Sequence, residues 1–277
     1  MADIYRIAEK LNIDKRIIKL VRKEIFLPNY IDDLKPTTDY WYPHPPCLVP
    51  LFLGHGASYK GVVKHFFCDR ESPFVEYFLE DGYISEIARN ADQFITLLVL
   101  RMIIIKDSLT SDIIDFCKKI DYAQYDDIDQ FTLDYGDEPQ EFKNLVFFNT
   151  ERPFKYIKEL NDYNGDFPSS LSILNKNFYL KSAAYAEIAA TEKLAEIEDL
   201  PPWLIESKNK KELFDLYFTK NQLKEAWLTL NSKNWLLKDV ADCLEKLRSK
   251  TNDDLFTLIA DNWISGWKNS TFLNGKY

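Results

Sequence analysis

The sequence predicts an α+β fold over residues 1–150, followed by an all-helical C-terminal region. Three observations lead there. Short apolar runs broken by turn residues crowd into residues 48–79, which is the signature of a small meander. Segments with helical apolar spacing flank that region on both sides. Beyond about residue 182 the pattern stays helical.

The chain has 277 residues, enough for one large domain or two modest ones, and 46% hydrophobic content argues for a folded core. Residues 1–150 are expected to form the α+β domain, 151–180 an irregular linker rich in Asn, Asp and Pro, and 181–277 the helical region.

In order along the chain, residues 2–27 read as two helices. Asp14 is the natural N-cap of the second, whose apolar side is Ile17, Ile18, Leu20, Val21 and Ile25, and Pro28 is expected to stop it. Five prolines between residues 28 and 46 keep that stretch irregular. Residues 48–53 read as a buried strand, His55-Gly56 as a turn, and residues 61–68 and 75–79 as two further strands. Together they make a small, mostly antiparallel sheet packed by helices. Residues 85–105 read as one long helix, since Ile87, Ala88, Ala91, Phe94, Ile95 and Leu98 recur near helical spacing. A helix follows at 111–120, a loop-like acidic stretch at 121–141 and a last strand at 145–148. The C-terminal helices are expected at 183–197, 211–230, 236–248 and 253–263.

The net charge of −9 disfavours nucleic acid, whose binders neutralise phosphates with Lys and Arg. The charge is also uneven. Between Asp121 and Glu141 stand eight acids and no Lys or Arg, a stretch suited to a basic protein partner. The N-terminal MADIYRIAEK has no apolar core of a secretory signal, and the apolar run at 94–105 is too short to span a bilayer. A cytoplasmic, non-membrane protein is expected, and four widely spaced cysteines fit reduced thiols there.

Candidate chemistry concentrates in residues 41–94, which hold all three histidines. His44-x2-Cys47 and His65-x2-Cys68 supply zinc-type ligands, so a zinc enzyme built on His44, Cys47, His65 and Cys68 is one reading. The order of the pairs matches no standard knuckle, and Cys47 abuts an apolar run where free cysteine serves as a small hydrophobe. Gly54-His55-Gly56 lacks the Walker lysine and the third Rossmann glycine, so a turn is expected there rather than a phosphate loop. No nucleophile-elbow pattern is present. These readings leave no catalytic residue, metal or cofactor to nominate.

The same window carries a resemblance. An aromatic-proline entry precedes an apolar strand that ends in a Gly-rich turn, Leu51-Phe52-Leu53-Gly54-His55-Gly56. A second strand begins near Tyr59-Lys60-Gly61, and a later helix is expected to contain Glu86-Ile87-Ala88-Arg89-Asn90. Over residues 15–150 this order resembles the SUKH superfamily, which includes bacterial immunity proteins and fungal cell-wall regulators. The resemblance implies an α+β fold without catalytic residues, and a cytoplasmic protein that neutralises a cognate toxin by occluding its active site. The acids Glu80, Asp81, Asp126, Asp127 and Asp129 are then the expected contacts to a basic toxin, with Trp41 as a desolvated anchor. A third reading is a regulatory or scaffold protein that binds a partner through its C-terminal helices.

Overall fold

The computed structural model describes residues 4–31, 33–80, 82–157, 163–165 and 201–277. The fold is α+β, as expected. A five-stranded antiparallel sheet runs in the order β1 (Lys35–Pro36), β2 (Leu48–Leu53), β3 (Ser58–Val63), β4 (Phe74–Phe78) and β5 (Tyr83–Ala88). Each strand pairs with its sequence neighbour; short turns join β2 to β3 and β4 to β5, and longer loops join the other two pairs.

Nine α-helices occur among the described residues. They are α1 (Ile4–Lys10), α2 (Lys15–Val21), α3 (Ala91–Lys106), α4 (Ser111–Lys119), α5 (Tyr125–Tyr135), α6 (Lys210–Thr219), α7 (Leu223–Leu230), α8 (Leu237–Arg248) and α9 (Asp254–Lys268).

Every residue of β2 and β3 is buried, which explains why β2 reads as a continuous apolar run rather than an alternating one. One face meets α3, where Phe94 stacks on Phe52 and tilts against Phe74 with ring centres 6.2 and 4.9 Å apart. On the other face Tyr59 meets His44 and Tyr42 edge-on. Pro50 is tolerated inside β2 because the register shifts there, between Pro50 and Phe52. Opposite it, Gly61 lets the backbones close up, since a Cβ on it would lie 2.1 Å from the Val49 carbonyl oxygen.

The C-terminal helices share one core with the sheet, running from Ile7 to Tyr277. Trp227 of α7 and Phe256 of α9 clasp Phe66, and Trp263 of α9 reaches His44.

Several expectations are corrected. Residues 85–90 are not the start of a helix: Glu86, Ile87 and Ala88 belong to β5, and the helix begins after Asn90, whose side chain accepts the Gln93 N–H as an N-cap. The expected EIARN helix is therefore the end of a strand and a cap. Helix α2 stops at Val21, seven residues before Pro28, with Lys23 at a positive φ of 57°. The second strand sits at Ser58–Val63, so His65 and Cys68 fall in the following loop. Half of the acidic stretch is α5, because Ile128 and Phe131 give it an apolar side. Residues 145–148 are turns rather than a strand, with Phe147 at φ 68°. The expected helix at 211–230 is two helices, parted at Asn221, which adopts φ 56°. The helix expected at 183–197 lies outside the described residues. Among the described residues no helix is long and apolar enough to cross a membrane.

Candidate functional site

The three histidines go to three different places. His44 is buried, and its Nδ1 donates to the Tyr42 carbonyl at 2.7 Å, which fixes the tautomer. Its ring is walled by Trp41, Tyr59 and Trp263, and its own carbonyl accepts the Trp263 Nε1–H at 2.9 Å. Burial pushes its pKa down to about 4. His65 is also buried, and its Nδ1 accepts the Trp227 Nε1–H at 3.3 Å, so its Nε2 carries the proton and has no partner among the described residues. Burial, with Arg70 and Lys64 adding repulsion, pushes its pKa down to about 3. His55 is exposed in the β2–β3 turn.

Cys47 is buried beside β2, and its N–H donates to the Asn231 Oδ1 at 2.6 Å; burial pushes its thiol pKa up. The Cys68 thiol approaches the Phe66 carbonyl at 3.6 Å. Among the described residues no group of three or more His, Cys, Asp or Glu is placed to hold a metal ion, so His44, Cys47, His65 and Cys68 are not assembled as a ligand set. Two of them instead hold the C-terminal helices to the sheet domain through tryptophan N–H donors, and a third does so through Asn231.

The residues expected to meet a partner fall on different elements. Trp41 is half-buried, edge-on to Trp263 at 5.6 Å and close over Gly266, where a Cβ would lie 2.4 Å from its ring. Glu80 is exposed in the β4–β5 turn, and Asp81 lies outside the described residues. Asp126 and Asp127 are exposed in the first turn of α5, where the helix dipole favours carboxylates, and Asp129 is half-buried.

Helix α5 packs on α3 through its apolar side and presents the rest to water. Exposed on it are Asp126, Asp127, Gln130, Asp134 and two apolar groups, Leu133 at 75% and Tyr135 at 41% exposure. A nearly bare leucine among carboxylates costs solvation in the free protein and gains it on docking. Leu133 is not legible in the sequence, where this acidic stretch reads as a loop.

A pocket on the α3 face of the sheet likewise goes unread in the sequence. Lys60 of β3 and Glu76 of β4 are direct cross-strand partners, an opposite-charge pair that a sheet accommodates well. Lys60 Nζ reaches Asp33 Oδ2 at 2.6 Å and Glu76 Oε1 at 3.3 Å. Arg101 of α3 and Lys155 reach the same two carboxylates at 2.7 and 3.5 Å. The side chains of Asp33 and Lys60 are only 1% and 9% exposed, and each lies against the other, the arrangement a buried charged group needs. The pocket holds about 180 Å³, and Phe94, Leu97, Ile87 and Tyr156 complete its wall. The legible signal was a lysine and a glutamate at matching positions of two apolar strands.

A second buried ionic cluster sits at the end of β5. Glu86 is fully buried; it accepts the Tyr163 hydroxyl at 2.7 Å and the Phe154 N–H at 3.2 Å. Arg89 lies 4.0 Å from it and pairs more closely with Glu71 and Glu151. Burial wins over these partners and pushes the Glu86 pKa up to about 7.

Comparison with protein-family models, with curated proteins and with solved structures finds no match to this chain.

Proposed function

We propose that this chain is a non-enzymatic, cytoplasmic binding protein of the immunity type, which neutralises a basic cognate toxin by covering its active site. One observation carries the reading: the outer face of α5, where Leu133 stands exposed among Asp126, Asp127 and Asp134 on a segment without a single Lys or Arg. The apolar group supplies the desolvated centre of an interface and the acids its charged rim. Those acids also raise the local concentration of a basic partner and speed encounter.

Two further facts support the reading. The resemblance of residues 15–150 to the SUKH superfamily points to binding rather than catalysis. All four cysteines are free thiols, three of them buried, which suits a reducing compartment.

The test is neutralisation. Co-expression with a growth-arresting toxin sought among the products of adjacent genes is expected to restore growth, and replacing Asp126, Asp127 and Asp129 with lysine is expected to remove that protection while leaving the protein folded. Full protection by the folded triple variant would sink the assignment of this face.

A further inference from the structure

The ionic cluster at the pocket between α3 and the sheet sets three cations, Lys60, Arg101 and Lys155, against two carboxylates, Asp33 and Glu76, which leaves one spare positive charge. Asp33 Oδ2 accepts from Lys60 and Arg101 and its Oδ1 from the Leu34 N–H, while the two Glu76 oxygens face Lys60 and Lys155. The donors are not exhausted. Arg101 spends only Nη1 on Asp33, and its other N–H groups bond to no described residue. Tyr156 also lines the pocket, and its hydroxyl makes no hydrogen bond to any described residue. Arg101, with its side chain 43% exposed, stands at the mouth, and Tyr156 lines the wall with it.

The remaining wall is apolar. Phe94, Leu97 and Leu98 lie three or four residues apart on one side of α3, with Arg101 next in the same row, and Ile87 closes the row from β5. An apolar cavity of about 150 Å³ in another protein is large enough for benzene, so about 180 Å³ admits one ring or a branched chain plus a small polar head.

From this arrangement we infer a binding site for a small monocarboxylate with an aromatic or branched apolar body. The carboxylate takes the fork of Arg101 and the Tyr156 hydroxyl, and the apolar body lies along Phe94, Leu97 and Leu98. A carboxylate fits because it meets the spare positive charge of the cluster, whereas an amine adds a fourth cation to it. This site is separate from the α5 face and does not depend on the toxin-binding reading.

The test is calorimetric titration of the full chain with benzoate, benzamide and benzylamine, repeated on Arg101→Gln and Tyr156→Phe. The two substitutions touch an exposed helix position and a single hydroxyl, and circular dichroism confirms that each variant is folded. Benzoate is expected to bind at least about tenfold tighter than benzamide, with benzylamine weakest; Arg101→Gln lowers benzoate affinity about tenfold or more, since bonds to charged groups are the strong ones. Tyr156→Phe lowers it by a smaller factor. The inference is overturned if benzoate fails to bind at about ten millimolar, binds no tighter than benzamide or benzylamine, or binds both variants as it binds the parent.

Discussion

Replacing Glu86 with glutamine should flatten one limb of this protein's pH–stability profile. Glu86 sits at 0% exposure in β5, and burial raises its pKa from the ordinary 4.5 to about 7. Above about pH 4.5 the unfolded chain has released this proton, while the folded chain holds it until about pH 7. The folded state therefore binds more protons across that window, and stability falls as the pH rises through it. At about 1.4 kcal/mol for each pH unit, the whole gap amounts to roughly 3 kcal/mol. Glutamine keeps a carbonyl acceptor for the Tyr163 hydroxyl or the Phe154 N–H but carries no titrating proton. Urea unfolding of both proteins at about pH 5.5 and about pH 8.5 measures the effect. The stability difference should move in favour of Glu86→Gln by about 2 kcal/mol from the lower pH to the higher. Parallel profiles would show that Glu86 ionises normally in the fold, with Arg89 compensating its burial fully, and would refute the argument.

Three more expectations follow from the same physics. His44 and His65 have pKa values lowered to about 4 and about 3, so the folded state resists protonation that the unfolded chain accepts below about pH 6.5; stability is complete above that pH and is lost as the pH falls. In the Glu86→Gln background, where the opposing carboxylate is silent, unfolding free energy should drop by about 4 kcal/mol between about pH 7.5 and 5, and a flat profile contradicts the placement of both rings. Asn231→Ala leaves the buried Cys47 N–H without its acceptor and should cost about 1–3 kcal/mol in chemical unfolding, whereas an unchanged midpoint means that bond does not matter. Leu133→Asp should alter stability by no more than about 0.5 kcal/mol yet weaken toxin binding at least about tenfold, and equal toxin affinity removes Leu133 from the interface.

Much of the fold was legible because its signals are local. Strand β2 is read from Leu48 to Leu53 without error, since a six-residue apolar run bounded by prolines and Gly54 has few other fates. Asp14 was recognised as a cap, and its side chain does accept the Arg16 N–H at 2.8 Å. Strand β5 was lost because Ile87 and Ala88 keep helical spacing with the true helix behind them. The Asn90–Gln93 pair marks the real start, because Asn90 caps the Gln93 N–H while Gln93 Oε1 accepts from the Arg89 N–H at 2.9 Å. Helix α5 was hidden by its charge: Asp126 and Asp127 look like loop residues, but a first helical turn favours them.

The sites were less legible than the fold, for a physical reason. His44 and His65 look like ligands in one dimension, and only the packing of Trp263 and Trp227 on them reveals their structural work. Lys60, Asp33 and Arg101 come from a strand, a loop and a helix, so no spacing rule links them. The acids at 126, 127 and 129 stand out in the sequence by charge alone, and the structure adds an exposed Leu133 on the same helix.

The central claim is that the α5 face steers and docks a basic partner. The most direct measurement is the association rate with the basic partner that co-expression identifies, as a function of ionic strength, for the parent and for Asp126→Lys, Asp127→Lys, Asp129→Lys together. The parent rate should fall steeply with salt, and at low salt the triple variant should associate at least about tenfold more slowly with a flattened salt dependence. A rate that ignores salt and is the same in both proteins would contradict the claim.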